Sequence, residues 1–76
     1  MNAQLIYTIA CAAVRYGMFL KIVYNDGTSI KVYPGNYKGV KNPRYNNGCC
    51  MLYNDDPFNP DRFVFYNDSI KSITIF

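Results

Sequence analysis

The sequence contains no histidine, no tryptophan and no glutamate, and these absences remove several classes of function. Histidine is the side chain whose unperturbed pKa lies between about pH 5 and 8, which makes it the commonest general base and metal ligand. Without it, acid–base catalysis needs aspartates or lysines with strongly shifted pKa values, and their spacing indicates no such site. We therefore expect a protein that is not an enzyme, with no catalytic residues and no cofactor.

Cysteine is scarce, and the three that are present predict neither a metal site nor a disulfide framework. Cys11, Cys49 and Cys50 have no C-x-x-C spacing, and there is no histidine to complete a tetrahedral zinc site. Cys49 and Cys50 are neighbours in a predicted strand, so one should point into the core and the other outward. We expect three reduced thiols packed as small apolar side chains, as is typical of a reducing cytosol.

Long hydrophobic runs are also missing. The most apolar segment, residues 5–14, is ten residues long, whereas a helix that spans a bilayer needs about 20. No Lys or Arg precedes this segment and Arg15 follows it directly, which is not the pattern of a signal peptide. We expect a core-facing helix, a cytoplasmic protein and no contact with a membrane.

What the chain does contain is a high proportion of aromatic side chains. It has 76 residues, of which 50% are hydrophobic, so it is too apolar to be disordered and has the size of one domain, residues 1–76. Eight Tyr and five Phe supply core volume, since each aromatic side chain can bury roughly 150–250 Å². Thirteen aromatics exceed what so small a core can bury, so several are expected on the surface, as at interfaces.

Two periodicities divide the chain. A helical period with a broad apolar face covers about residues 3–16, with Asn2 as the N-cap and Gly17 at the C-terminal end. A two-residue alternation then predicts strands at about residues 18–24, 29–33, 49–53, 62–66 and 70–76. The expected core contains Leu5, Ile9, Ala13, Leu20, Ile22, Ile30, Val32, Leu52, Val64, Ile73 and Ile75. This order favours an α+β, mainly β fold, in which the N-terminal helix plugs one end of a five-stranded curled barrel.

Two parts of the chain resemble families of small β-barrels. The opening resembles a WYL-type domain, on the segments Ala13-Val14, residues 19–24, Asp26-Gly27 and Val32-Tyr33-Pro34. The tail resembles the last two strands of Sm-like proteins, on residues 63–66, Ser69-Ile70 and residues 73–75. WYL domains are themselves Sm-like, so both resemblances imply one Sm/SH3-like barrel over nearly the whole chain.

The irregular segment of residues 34–48 holds the main candidate binding site. It contains no acidic residue and interleaves cations with aromatic rings, namely Tyr37, Lys38, Lys41, Arg44 and Tyr45. Cations pair with phosphates, and aromatic rings stack on unpaired bases, so this pattern favours single-stranded nucleic acid or a nucleoprotein complex as the partner. The alternative is an ordinary solvated loop whose tyrosines pack back on the barrel.

The acidic turn, residues 54–61, carries Asp55, Asp56 and Asp61, which are three of the five acidic residues. It lacks the alternating ligands and central glycine of a calcium loop, so turn chemistry explains its Asn, Asp and Pro residues and we expect no metal. Its charge is opposite to that of residues 34–48. Such a polarised surface fits a protein partner as well as a nucleic acid.

These features favour a non-enzymatic binding module, with nucleic acid as the first interpretation. The second is an inhibitor encoded by a phage or mobile element, similar to an anti-CRISPR protein, that binds the surface of a host protein. The third is a homo-oligomer in which residues 73–76 offer an edge strand to a neighbouring copy. All three interpretations remain open at the level of sequence.

Overall fold

In a computed structural model, which describes residues 2–76, the chain forms one helix and six strands. The bounds are α1 Ala3–Tyr16, β1 Leu20–Tyr24, β2 Ser29–Val32, β3 Gly39–Lys41, β4 Cys49–Tyr53, β5 Arg62–Tyr66 and β6 Ile70–Ile75. Three short 3-10 turns lie at Pro34–Asn36, Pro43–Tyr45 and Asn67–Ser69.

The ends of α1 are fixed by the residues that the sequence indicates. The side-chain oxygen of Asn2 accepts hydrogen bonds from the backbone N–H groups of Gln4 at 2.8 Å and Leu5 at 3.2 Å, which satisfies donors that have no partner within the helix. Gly17 ends the helix with a φ of 67°, a left-handed conformation that glycine adopts without strain. Within residues 2–76, no helix is long and apolar enough to cross a membrane.

The buried face of α1 differs from the expected one. Ile6, Ala10 and Ala13 are buried, whereas Leu5 is 48% exposed and Ile9 is only partly buried. Both stripes are apolar, so periodicity alone does not distinguish them. The observed stripe carries two alanines, which allow the helix to lie close to the strands beneath it.

The strands form two antiparallel sheets of three strands each. The first sheet has the order β2-β1-β6 and the second has the order β3-β4-β5. The β1–β2 hairpin turns at Asp26-Gly27, where the carboxylate of Asp26 accepts hydrogen bonds from the backbone N–H of Thr28 at 2.9 Å and from its hydroxyl at 2.6 Å. These hydrogen bonds hold the pKa of Asp26 below its usual value. α1 contacts β3, β4 and β6, so it packs against both sheets.

The prediction of a five-stranded barrel is wrong. Among the described residues the strands form two separate sheets and no closed barrel. The cause lies in residues 34–48, which we expected to be one irregular loop. They contain the additional strand β3, which pairs with β4 and completes a second sheet, while β2 remains at the edge of the first.

One core joins α1 and the two sheets. It consists of Ile6, Ala10, Ala13, Leu20, Ile22, Val32, Cys50, Leu52, Phe65, Ile70 and Ile73. Three expected members are exposed, Leu5 at 48%, Ile30 at 39% and Val64 at 41%. Ile30 lies on the edge strand β2, where one side is uncovered. In β5, Phe65 is buried and Phe63 packs against the core, so Val64, which lies between them, points outward.

The cysteines are unpaired, and the part of the chain that the structure describes contains no metal-binding cluster of His, Cys or acidic residues. Cys11 is half-buried. Cys50 belongs to the core and Cys49 lies on the opposite face of β4, as expected from the alternation, but Cys49 is also buried rather than exposed. The 3-10 turn before β4 covers Cys49, because Asn46 and Cys49 exchange hydrogen bonds of 2.9 and 3.0 Å. Burial raises the pKa of the Cys50 thiol to about 12.

The core assignment predicts unequal effects for two isoleucines that face each other across β1 and β2. Ile22 is fully buried and its partner Ile30 is 39% exposed. Ile22→Ala should therefore lower the free energy of unfolding by about 2–5 kcal/mol, and Ile30→Ala should lower it by much less. Urea denaturation of both variants measures the difference, and equal losses would show that Ile30 is buried as deeply as Ile22.

The burial of Cys50 predicts a loss of stability in alkaline solution. The unfolded thiol ionises near its ordinary value of 9.0, and the folded thiol ionises only near 12. This contribution to stability is therefore complete below pH 9 and declines as the pH rises towards 12. Denaturation across that range should show a smaller decline in Cys50→Ala than in the wild-type protein. An identical decline in the two proteins would contradict the burial of this thiol.

Candidate nucleic-acid interface

The segment that the sequence singles out is folded rather than irregular. Tyr37 and Lys38 precede β3, Lys41 is the last residue of β3, and Arg44 and Tyr45 lie in the 3-10 turn Pro43–Tyr45. The five side chains therefore have different surroundings, and each must be considered separately.

Tyr37 is an anchor for this segment. Its ring is half-buried and packs against the core. Burial raises the pKa of Tyr37, and the charge of Asp61 and a hydrogen bond to it raise that pKa further. The ring therefore ties the segment to the core and to the acidic turn.

Lys38 is paired with the acidic turn. Its Nζ lies 3.0 Å from a carboxylate oxygen of Asp55, and both side chains are largely exposed. The hydrogen bond to Asp55 and the charge of that carboxylate raise the pKa of Lys38. The positive and negative segments of the sequence thus meet in space, and one lysine of the expected basic site is paired with a carboxylate.

Lys41 belongs to the outer face of the second sheet. Lys41 on β3 lies opposite Met51 on β4. Two residues further along β4, Tyr53 lies opposite Arg62 on β5. The residues that alternate with them along the three strands pack on the core, so the side chains of Lys41, Met51, Tyr53 and Arg62 point away from it. Together with Asn54 and Asp55 they line a surface cleft of about 330 Å³, here called the Tyr53 cleft.

The ring of Tyr53 has a defined position in this cleft. Gly39 lies opposite it on β3, and a Cβ on that glycine would come within 2.6 Å of the Tyr53 hydroxyl oxygen. The ring therefore lies across the backbone of Gly39, in the space that any side chain would occupy. The Lys41 ammonium is 6.0 Å from the centre of the same ring, within the range of a cation–π interaction.

Arg44 and Tyr45 lie a few residues beyond Lys41 in the chain. The side chain of Asn42 accepts a hydrogen bond of 2.9 Å from the backbone N–H of Arg44, which fixes the start of the 3-10 turn. The Arg44 guanidinium carbon is 5.7 Å from the centre of the Tyr45 ring, and Tyr45 is 80% exposed. This pair offers a second cation and a second open ring.

Tyr53 and Arg62 are the members of this surface that the sequence interpretation missed. The alternation in β4 and β5 does not identify their outer faces, since Val64, which was expected in the core, shares the outer face of β5 with Arg62. It also does not show that β4 lies between β3 and β5, and that arrangement is what brings Tyr53 and Arg62 beside Lys41.

Comparison with known proteins gives no match. No family profile, no curated protein and no solved structure is significantly similar to this chain. The resemblance to WYL-type and Sm-like proteins therefore rests on the short segments quoted from the sequence.

Proposed function

We propose that the protein is a non-enzymatic module that binds single-stranded nucleic acid, free or within a nucleoprotein complex, through the outer face of its second sheet. The observation that carries the proposal is the Tyr53 cleft, in which Lys41 and Arg62 flank one aromatic ring. Stacking of a base on such a ring contributes about 1–3 kcal/mol and tolerates any base.

The order of the strands supports this arrangement. Tyr53 is on the central strand β4, and Lys41 and Arg62 are on the two edge strands. Arg62 lies directly opposite Tyr53 on β5, and Lys41 on β3 has its ammonium 6.0 Å from the ring centre, so the two cations come from the two edges of the sheet. A nucleotide whose base stacks on Tyr53 has a cation available for the phosphate on either side of it.

Arg44 and Tyr45, a few residues after Lys41 in the chain, supply a further cation and an exposed ring on which a second base can stack. The expected site thus changes in composition. Lys41, Arg44 and Tyr45 remain contact residues, and Tyr53 and Arg62 join them. Tyr37 and Lys38 become positioning residues, which connect this side of the molecule to the acidic turn.

Titration of a labelled single-stranded oligonucleotide at about 50 and 200 mM salt tests the proposal. Lys41→Ala and Arg62→Ala should each reduce the salt dependence by about 0.7 units of log K against log salt, which corresponds to one lost phosphate contact. Tyr53→Ala should weaken binding by roughly 1–3 kcal/mol with little change in that slope, because it removes stacking and no charge. Asp55→Asn should tighten binding, since it frees Lys38.

Lys71→Ala is the matched control, because Lys71 is an exposed lysine on β6 of the other sheet. It removes the same charge as Lys41→Ala and should have a clearly smaller effect. Equal effects of the two variants would mean that net charge alone drives binding. If the wild-type protein does not bind at low salt, the nucleic-acid proposal fails and the interpretation as a protein-binding inhibitor takes its place.

A further inference from the structure

The outer face of the first sheet carries a row of three aromatic rings beside a row of two lysines. Phe19 and Phe76 exchange backbone hydrogen bonds of 3.0 and 3.1 Å, and the ring of Phe19 lies 5.0 Å from that of Tyr33 and 5.7 Å from that of Phe76, between centres. In the next row, Lys21 lies directly opposite Lys31. We call these five residues the aromatic–lysine face.

This face is apolar, positively charged and uncovered. Phe19, Tyr33 and Phe76 are 38%, 49% and 53% exposed, respectively. The strands β1, β2 and β6 contain no acidic residue, so the cross-strand lysine pair has no carboxylate beside it in the sheet, and like charges in that position are unfavourable. The Lys31 ammonium lies near the rings of Phe19 and Phe76, 5.7 and 5.3 Å from their centres. A ligand that fits this face has to combine an apolar ring with negative charge.

The acidic turn of residues 54–61 has that combination. Phe58 is 95% exposed although it is a large apolar side chain. The turn that displays it is ordered, because Asp56 accepts a hydrogen bond of 2.9 Å from the backbone N–H of Phe58, and the side chain of Asn54 accepts one of 3.0 Å from the backbone N–H of Asp61. Phe58 therefore stands between carboxylates on a fixed support.

Within one molecule the two surfaces do not meet. The turn connects β4 to β5 in the second sheet, and the exposure of Phe58 shows that its ring is not packed on its own chain. We propose that the acidic turn of one copy docks on the aromatic–lysine face of a second copy. Phe58 packs against the rings of Phe19 and Phe76, and Asp56 faces the two lysines.

The proposed contact joins two different surfaces, and each copy carries both. Two copies that exchange turns reciprocally close into a two-fold dimer, and copies that each dock on a different neighbour form a ring or filament. This inference goes beyond nucleic-acid binding, because it uses neither Lys41, Tyr53 nor Arg62.

Sedimentation velocity without nucleic acid, over a wide range of protein concentration, tests the inference. The mean mass of the wild-type protein should rise with concentration, and less so at high salt. Phe58→Ala and Lys31→Glu should each weaken association by about tenfold or more, as expected for a central ring and a central charge. Asp56→Asn should also weaken it, although an amide oxygen can still accept the hydrogen bond from Phe58.

Two control variants make the same kinds of side-chain change at positions outside the proposed contact. Tyr16→Ala deletes another exposed ring, which is 68% exposed on α1, and Lys71→Glu makes the same charge change on β6. Both controls should associate as the wild-type protein does. A wild-type protein that stays monomeric at every concentration overturns the inference, as do controls that weaken association as much as the test variants.

Mixing two variants gives the sharpest test of the pairing between the turn and the face. Lys31→Glu retains an intact turn and Phe58→Ala retains an intact face, so each alone should associate about tenfold or more weakly than the wild-type protein, and the mixture should form a 1:1 complex that does not grow. A mixture that stays monomeric contradicts the pairing of these surfaces. Tyr53→Ala should associate normally, and Phe58→Ala should still bind the oligonucleotide, so failure of one proposal is distinguishable from failure of the other.

Discussion

Close packing of α1 on both sheets is the constraint on which the rest of the structure depends. Each sheet has three short strands, and such small sheets need a partner that covers their apolar side. Ala10 and Ala13 add no bulk beyond Cβ, so the helix can lie close to the strands, and Ile6 fills the space beside them. Because one helix covers the inner sides of both sheets, the outer side of each sheet is left free to bind other molecules.

The sequence predicts the parts of this fold that depend on local chemistry. Asn2 and Gly17 mark the ends of α1, and Asp26-Gly27 marks the β1–β2 hairpin. The parts that it misses depend on distant pairings. β3 has only three residues and is a strand because β4 lies beside it, and β1 takes β6 as its second neighbour from the other end of the chain. In α1 and β5 both faces are apolar, so alternation alone cannot identify the buried one.

The candidate site likewise has members that the local sequence indicates and members that only distant strand pairing brings in. Interleaved cations and rings identify Lys41, Arg44 and Tyr45 from composition alone. Tyr53 and Arg62 join them only through the register of the second sheet. The acidic turn has a different role from the one that charge patterning predicts, since Asp55 pairs with Lys38 and Asp61 contacts Tyr37, while Phe58 points away from the molecule.

The central claim is that the two outer faces of one helix-covered core bind different ligands. Backbone amide chemical shifts in a titration with a short single-stranded oligonucleotide test it most directly. The account predicts shift changes at Lys41, Tyr53 and Arg62, and unchanged resonances at Phe19, Lys31 and Phe76. Changes centred on Phe19 and Lys31 instead, or spread evenly over both sheets, would contradict it.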